Sequence, residues 1–405
     1  MVTRRTFCAS ALCAAAAPLA SLASDARAGD ASLLSPRELD ALERRRVLAA
    51  ANRYLSEPPI TITSTSSPRS PGGAHDYFSE GDYWWPDPQH PGGPYIRRDG
   101  LSNPANFNGH RDALIRLSLQ VPSLTAAWML TGDTKYSAHA IAHLDAWFLA
   151  AATRMNPNLK HAQAISGVSQ GRGTGIIDTI HLAEVAQSAA LLVSASQLSA
   201  AQAAGVDAWF ADYLHWLTTS ANGIDERNAT NNHGSCWVMQ VAAFARLTQD
   251  EAILAMCRDR FRTVLIPKQI AANGSFPLEL ARTKPYSYSM FNLDILATAC
   301  HILATSPADC NLWEAKTPAG QSLKNSLAFY APFIANKAAW PYAHDVEYFD
   351  DLPVRQPSLL FAGLAYAQPP WIALWKTLNP DPTVPEIIRN FPIRQPVLWI
   401  PAQGA

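Results

Sequence analysis

The chain has 405 residues, of which 48% are hydrophobic and only 16% are charged, and its formal net charge is −1. A chain of this length and apolar content can bury a large core. The chain has no basic stripe and no known nucleic-acid motif, which argues against a nucleic-acid partner. Because its net charge is near neutral, attraction of an anionic ligand requires a local basic groove.

The N-terminus has the features of an export signal. Arg4-Arg5 precedes a small, apolar stretch, and Ala26-Arg27-Ala28 fits a cleavage site. The paired arginines resemble a twin-arginine signal, although an ordinary secretory signal is an equal alternative. We expect residues 1–28 to be a signal peptide, residues 29–405 to form a single domain, and the protein to be periplasmic or secreted. No later segment is apolar for the roughly 18 residues that a membrane span needs.

Helical patterns dominate the rest of the chain, because apolar residues recur every three or four positions in Ala- and Leu-rich stretches. Ser35-Pro36-Arg37-Glu38 is typical of a helix start, and Asp133, Ser199 and Asp250 stand where caps are expected. The predicted helices cover residues 36–54, 110–131, 134–153, 179–196, 199–220, 233–247, 249–263, 290–304, 316–337 and 357–378.

Strand-like runs are few, at residues 59–64 and 396–400. Many antiparallel helical hairpins can close into an α/α toroid, which is an incomplete helical barrel with a groove at one end. The sequence therefore predicts a mainly α protein of this class.

A long segment rich in proline and glycine, residues 57–109, interrupts the helices, and a loop of that length is usually functional. Its aromatic rings suit the apolar faces of sugars, and its arginines suit carboxylates. The alternative is a structural loop whose aromatic side chains pack over the helices. The predicted substrate-binding residues of this segment are Tyr83, Trp84, Trp85, Arg97 and Arg98.

Asn231-Asn232-His233-Gly234 lies at a predicted junction of loop and helix. Either asparagine can cap the helix, which places His233 in the first turn, where the helix dipole favours a neutral imidazole. A histidine at such a position is either functional or a hydrogen-bonded structural residue, and the local sequence leaves both interpretations open.

Residues 274–289 form a predicted loop that brings cations and phenols close together: Arg282, Lys284, Tyr286 and Tyr288. Loops on rigid scaffolds often carry function. The alternative is a solvated basic loop with its tyrosines packed inward.

Other candidates are weaker. His139 and His143 have a spacing that can bind a metal ion, but no third ligand is evident, so no metal site is expected. The glycine-rich run at residues 171–178 predicts a turn before a helix, with Arg172 facing the groove. Cys300 and Cys310 flank a predicted helix end and could form a disulfide in an oxidising compartment.

These pieces together resemble the alginate lyase superfamily of α/α-toroid polysaccharide lyases, and are most similar to polysaccharide lyase family 38, which degrades alginate and glucuronans. The matching pieces are residues 81–88, 97–104, 231–234 and 279–285 with Tyr288. The resemblance implies a catalytic centre of Asn232, His233, Arg282 and Tyr288. Tyr286 competes for the tyrosine role, but Tyr288 has the family's six-residue separation from the arginine.

The resemblance also implies β-elimination on an anionic polysaccharide, without a metal or cofactor. We expect the protein to be a monomer. Asn232, Arg282 and His233 would offset the uronate carboxylate, and an adjacent arginine would favour the Tyr288 phenolate. Tyr288 would serve as base and acid in syn elimination, whereas His233 would be the base in anti elimination. Our candidates for the neighbouring subsites are Arg97, Arg98, Arg172 and Lys284, and Tyr286 is also expected to bind substrate.

Two alternatives remain. A glycoside hydrolase on the same toroid needs two carboxylates flanking the scissile bond, and the available acids form no recognisable pair in the sequence: Asp82, Asp99, Asp178 and Glu279. A non-catalytic periplasmic glycan-binding protein would keep the aromatic loop without needing Tyr288 or His233.

Overall fold

The computed structural model describes residues 33–304 and 311–400, and the predicted signal peptide lies outside these ranges. The described residues belong to one unit that begins at Leu33. Its helices are α1 (Pro36–Tyr54), α2 (Gly109–Thr131), α3 (Thr134–Leu144), α4 (Leu182–Ser194), α5 (Ala200–Thr219), α6 (Ala221–Asn228), α7 (Asn232–Leu247), α8 (Glu251–Arg260), α9 (Ile266–Gln269), α10 (Pro277–Leu280), α11 (Pro285–Leu303), α12 (Leu323–Ala335), α13 (Pro357–Ala365), α14 (Pro369–Thr377) and α15 (Pro385–Arg389).

The predicted helix caps are confirmed. Ser35 and Glu38 form a reciprocal capping box at the start of α1, so two otherwise unpaired N–H groups are satisfied. The side chains of Asp133, Ser199 and Asp250 accept backbone N–H groups at the starts of α3, α5 and α8. These starts were predictable because each cap is local in the sequence.

Several predicted boundaries are wrong. The helix expected at residues 290–304 begins at Pro285, so Tyr286 and Tyr288 lie in its first turn rather than on a loop. The helix expected at residues 357–378 is two helices, because Ala367 has a φ of +51° and Pro369 opens the second.

Both predicted strands are also wrong. Residues 62–64 and 396–398 are single turns of 3-10 helix. At the first turn the Thr61 hydroxyl accepts the Thr63 N–H, and at the second Pro396 has no N–H for a strand ladder.

The helices pack as neighbouring hairpins of the predicted α/α toroid. α1 packs on α2, α2 on α3 and α4, and α7 on α4, α8 and α11. α7 and α11 pack closely against each other, and their first turns contribute Asn232, His233 and Tyr288 to the lining of one cleft. The core between the helices includes a cluster of contacting aromatic rings formed by Phe148, Trp209, Phe210, Tyr213 and Phe244.

Residues 57–109, predicted to be a loop, contain three short strands. β1 (Phe78–Glu80) pairs in parallel with β4 (His161–Ala164), and β2 (Trp84–Trp85) pairs antiparallel with β3 (Ile96–Arg97). The side-chain amide of Asn106 donates to the Gly81 carbonyl over 2.7 Å. These contacts hold the segment in a fixed conformation beside the helices.

One helix among the described residues, α2, is long and apolar enough to cross a membrane. Of its most apolar window, 67% is buried inside the protein. Burial of this extent is typical of a core helix, and the absence of a membrane span stays a prediction.

The C-terminal segment is tied to α4 by the buried carboxylate of Glu184. This carboxylate accepts the backbone N–H groups of Arg394 and Gln395, over 2.9 and 2.8 Å, and the indole N–H of Trp399 over 3.1 Å. Because the carboxylate is fully buried, no water can replace it as the acceptor.

Replacing Glu184 with alanine is expected to lower the free energy of unfolding by about 3 kcal/mol, because three buried donors lose their acceptor. Urea unfolding measures this loss. The control is Glu251→Ala, since Glu251 pairs with Arg258 but its side chain is 63% exposed, and its removal should cost less than about 1 kcal/mol. Equal losses in the two variants would contradict the proposed role of Glu184.

Candidate active site

The first turns of α7 and α11 and the segment around β2 and β3 border a cleft of about 460 Å³. Pockets of this size are typical of small-molecule and oligosaccharide sites. The predicted site residues that line the cleft are Tyr83, Trp84, Arg97, Arg172, Asn232, His233, Arg282 and Tyr288. The structure therefore brings together the four residues predicted to be catalytic, which come from separate parts of the chain.

Tyr288 makes two contacts through its phenol. The hydroxyl donates to the hydroxyl of Tyr83 over 2.7 Å and accepts a hydrogen bond from Arg282 over 3.2 Å. Burial and the neighbouring phenol raise the pKa of Tyr288 well above its ordinary value, and this outweighs the opposing effect of Arg282. The arginine therefore favours the phenolate, as expected, but burial and Tyr83 outweigh it and the net effect favours the neutral phenol.

The guanidinium of Arg282 is held by Asp99. Its Nε and Nη2 atoms donate to the two carboxylate oxygens of Asp99 over 3.1 and 2.8 Å, and its Cζ atom lies 4.2 Å from the centroid of the Tyr288 ring. This pairing lowers the pKa of Asp99, although burial opposes the shift. Arg282 is thus turned toward Tyr288, and much of its charge is already offset before a substrate arrives.

His233 pairs with a carboxylate that the sequence analysis did not identify. Its Nδ1 atom lies 2.7 Å from Oε1 of Glu226, which is buried on α6. Burial alone would lower the pKa of His233, but the charge and hydrogen bond of Glu226 outweigh it and raise the pKa. The carboxylate of Glu226 thus opposes the effect that the helix dipole was expected to have on this imidazole. The Nε2 atom has no hydrogen-bond partner among residues 33–304 and 311–400, so it is available to a ligand.

Replacing Glu226 with glutamine should lower the pKa of His233, because the opposing charge is lost while burial remains. The limb of the pH profile of kcat/KM that reports His233 should then move to lower pH by about 1 unit. A shifted acid limb would identify His233 as a base, and a shifted alkaline limb would identify it as a cationic donor. Asp225→Asn, on the same helix, is the control for a general change of charge, and equal profiles in the wild type and both variants would rule out the pairing.

Asn232 is held by a second buried carboxylate, Glu279. The backbone N–H of Asn232 donates to one oxygen of Glu279 over 2.8 Å, and its side-chain amide donates to the other over 2.6 Å. Glu279 is 1% exposed, and it fixes the orientation of the amide. One amide N–H is therefore committed within the protein, and the second is available to the cleft.

Arg172 and Trp84 form one wall of the cleft. The guanidinium of Arg172 donates to the carbonyl and the side chain of Gln163 over 3.0 and 2.8 Å and lies 5.9 Å from the centroid of the Trp84 ring. Burial lowers the pKa of Arg172 from its ordinary value. A half-buried aromatic ring beside an arginine suits a sugar that carries a carboxylate.

Trp85 and Arg98 do not line the cleft. The indole of Trp85 donates to the carbonyl of Leu101 over 2.9 Å, and the exposed guanidinium of Arg98 lies 5.3 Å from the centroid of the Trp85 ring. The pair lies outside the enclosed part of the site, so its predicted contact with substrate requires a longer ligand.

The prediction that Lys284 and Tyr286 bind substrate is wrong, because both side chains are buried. Lys284 is 2% exposed and pairs with Glu347 over 3.2 Å. Tyr286 has no exposed surface, and its hydroxyl donates to the carbonyl of Phe333 over 3.2 Å. Tyr286 is therefore a core residue and no competitor for the role of Tyr288.

Two further arginines in the cleft, Arg111 and Arg389, were missed. Both donate to the carboxylate of Asp82, over 2.6 Å at the shortest in each case. Although burial favours the neutral acid, these two cations lower the pKa of Asp82 to about 2. Arg111 looks like an ordinary helix residue and Arg389 lies in a proline-rich stretch without a motif, so no sequence signal identifies either.

The described residues contain no group of three or more His, Cys, Asp or Glu side chains that could hold a metal ion. The imidazole of His139 contacts the carbonyl of Glu57 over 3.0 Å, and its ring packs edge-on against that of His143. The spacing of these histidines therefore reflects packing between neighbouring side chains.

Cys236, Cys257 and Cys300 are buried. Cys310 lies outside the described residues. The pairing of Cys300 with Cys310 stays a prediction.

Comparison with known proteins bears on the same region. The family model described as alginate lyase matches residues 61–340. The solved structure of an alginate lyase from Bacteroides ovatus is 29% identical, with a TM-score of 0.77 over 89% of this chain and 93% of that chain. Alginate lyase A1-III from Sphingomonas species A1 is 15% identical, with a TM-score of 0.50 over 84% and 90% of the two chains, and supports the fold alone. No curated protein sequence matches the chain.

Proposed function

The chain belongs to the alginate lyase family, whose model matches more than half of its length, and from this premise we propose that it cleaves alginate, or a related glucuronan, by β-elimination. It is a polysaccharide lyase on an α/α toroid. The observation that carries the proposal is the shared cleft, in which the Tyr288 hydroxyl lies 3.2 Å from Arg282 and the cleft is also lined by His233 and Asn232.

The first requirement of β-elimination is to make the hydrogen on C5 of the uronate removable. That hydrogen is only weakly acidic while the neighbouring carboxylate is fully ionised, so donors must stabilise the enolate-like transition state. The free amide N–H of Asn232 supplies such a donor in either route, and Nε2 of a protonated His233 supplies a second one in the syn route. Since Glu279 and Glu226 fix the orientation of these two side chains by hydrogen bonds, the side chains need to move little when charge develops on the substrate.

The second requirement is proton transfer at the scissile linkage. In the syn route, Tyr288 first loses its proton to solvent water, and Arg282 stabilises the phenolate. The phenolate takes the C5 hydrogen as a proton, the electron pair forms the C4–C5 double bond, the C4–O4 bond breaks, and O4 leaves with the proton from Tyr288. In the anti route, His233 takes the C5 proton and the neutral Tyr288 protonates O4.

The protonation states bear on the choice of route. Burial keeps Tyr288 neutral in the free protein, which suits its role as an acid directly and its role as a base only after a proton is lost. A substrate that displaces water and contacts Arg282 would change the equilibrium between the phenol and the phenolate of Tyr288. We propose that Arg282 acts mainly through Tyr288, because Asp99 already occupies its guanidinium.

A panel of purified mannuronate-rich alginate, guluronate-rich alginate and glucuronan tests the proposal. Each cleavage should create an unsaturated uronate that absorbs in the near ultraviolet, and its fragment should be lighter by one water than the product of hydrolysis. The polymer that is cleaved fastest identifies the substrate. Saturated products from every polymer, or binding without any turnover, would contradict the proposal.

Nothing among the described residues favours the hydrolase alternative. Four carboxylates line the cleft. Asp82 is paired with Arg111 and Arg389, and Glu226 is paired with His233. Asp178 accepts hydrogen bonds from Ser79 and Gln163, so Asp225 has no second free acid beside it in the cleft. A hydrolase needs one of its acids free to protonate the leaving group and the other free to attack or to activate water.

We also propose that the protein is exported and that residues 1–28 are removed, as their sequence indicates. N-terminal sequencing of the protein recovered from the periplasm or the medium should give a start near Gly29. Recovery of an uncleaved chain from the cytoplasm would contradict export.

A further inference from the structure

The helix that carries Tyr288 is capped by a residue from a distant part of the chain. At the start of α11, Lys284 provides no side-chain cap. Instead, the backbone N–H groups of Tyr286 and Ser287 donate to the two carboxylate oxygens of Asp345, each over 2.8 Å. A carboxylate at this position satisfies two unpaired donors and complements the positive end of the helix dipole.

The residues around Asp345 make further contacts with the same turn. We call residues 345–347 the clamp segment. The backbone N–H of Val346 donates to the carbonyl of Thr283 over 3.1 Å, and the Glu347 carboxylate pairs with Lys284 over 3.2 Å. The clamp segment therefore holds the chain on both sides of the point where α11 begins.

Asp345 is a costly residue for a purely structural position. It is 7% exposed, and burial raises its pKa to about 6 even though two N–H groups favour the ionised form. A neutral side chain such as serine or asparagine would cap the helix at a smaller desolvation cost. The clamp segment also lies beyond residue 340, where the match to the family model ends.

We propose that Asp345 is a positioning residue, which fixes the first turn of α11 so that the Tyr288 hydroxyl meets the reacting atoms of the substrate. Tyr288 follows Ser287 directly, and its N–H donates to the Lys284 carbonyl over 3.0 Å within the clamped turn. Proton transfer tolerates little displacement of the donor or acceptor, whereas binding along a long cleft tolerates more. The inference rests on the proposed role of Tyr288.

The test compares four proteins: the wild type, Asp345→Asn, Asp345→Ser and Asp350→Asn. Asparagine keeps the shape but loses one acceptor oxygen, and serine keeps a single acceptor. Asp350 lies in the same loop with a fully exposed side chain, so its variant is the matched control. We would measure kcat and KM on the best polymer, and the Kd for an oligouronate with the same substitutions in a Tyr288→Phe background, where turnover does not interfere.

Asp345→Asn should lower kcat about tenfold while KM and Kd stay within about twofold, and Asp350→Asn should match the wild type. A kcat within twofold of the wild type, or a Kd that weakens in parallel with kcat, would overturn the proposal. If thermal melting shows that Asp345→Asn is unfolded at the assay temperature, Asp345→Ser replaces it. Its kcat, KM and Kd are then measured below its melting temperature, and the same limits apply.

The inference and the proposed function fail in different ways. If Tyr288→Phe alone keeps wild-type turnover, the proposed role of Tyr288 is wrong whatever Asp345 does. If Tyr288→Phe is inactive while the Asp345 variants keep full kcat, only the positioning role is lost.

Discussion

Replacing Tyr288 with phenylalanine should lower kcat on the uronate polymer by about 10³-fold or more. A positioned acid or base contributes about 10²–10⁴-fold, and in the syn route the one phenol serves both steps. The ring itself should stay in place, because the Arg282 guanidinium lies 4.2 Å from its centroid. Binding of an oligouronate, measured by calorimetry, should therefore change little while the near-ultraviolet product signal disappears.

Tyr286→Phe is the matched control for this prediction. Tyr286 lies two residues earlier in the same helical turn, but its hydroxyl donates to the Phe333 carbonyl in the core. Its removal should leave kcat unchanged and cost about 1 kcal/mol of stability. Full activity in Tyr288→Phe together with a large loss in Tyr286→Phe would reverse the assignment of the two tyrosines.

Replacing His233 with alanine should lower kcat by about 10²-fold, because the substitution removes a donor or base that Glu226 holds in place. The substitution also leaves the carboxylate of Glu226 buried without its partner, so stability should be measured alongside activity. Initial rates on mannuronate-rich and guluronate-rich polymers report the result.

The two polymers separate the possible roles of His233. A base in anti elimination is needed on guluronate, so the loss there should exceed the loss on mannuronate if His233 is that base. Equal losses would assign it to carboxylate stabilisation. His215→Ala is the control, since His215 is exposed on α5, and a His233→Ala protein as active as this control would exclude His233 from the reaction.

The helix starts that could be predicted from the sequence are those with local caps. Ser35, Asp133, Ser199 and Asp250 each stand within three residues of the N–H group that they accept. The start of α11 could not be predicted in the same way, because its cap is Asp345, far along the chain. Tyr288 was therefore expected on a loop although it lies in a helical turn.

Tyr286 and Tyr288 show why residue type and spacing alone were insufficient at the site. Residues two apart on a helix do not share a face, so one phenol enters the core and the other enters the cleft. The sequence of the segment contains both tyrosines near Arg282, and only packing against α7 and α12 separates their roles.

The residues that contact and orient the predicted site residues could not be identified from the sequence. Glu226 precedes His233 by seven residues and contacts it because α6 packs against α7. Arg389 reaches the cleft because Glu184 holds the C-terminal segment against α4. Such pairings are set by tertiary structure, and no local pattern identifies them.

A crystal structure of Tyr288→Phe with a bound uronate tetrasaccharide tests the central claim most directly. We expect the carboxylate of the sugar to be eliminated to lie against the amide of Asn232. Nε2 of His233 should contact the same carboxylate in the syn route, or face the C5 hydrogen in the anti route. The missing hydroxyl at position 288 should be within reach of O4 in either route, and within reach of the C5 hydrogen as well in the syn route. A carboxylate bound instead at Arg97 and Arg98, with both C5 and O4 out of reach of position 288, would contradict the proposed mechanism.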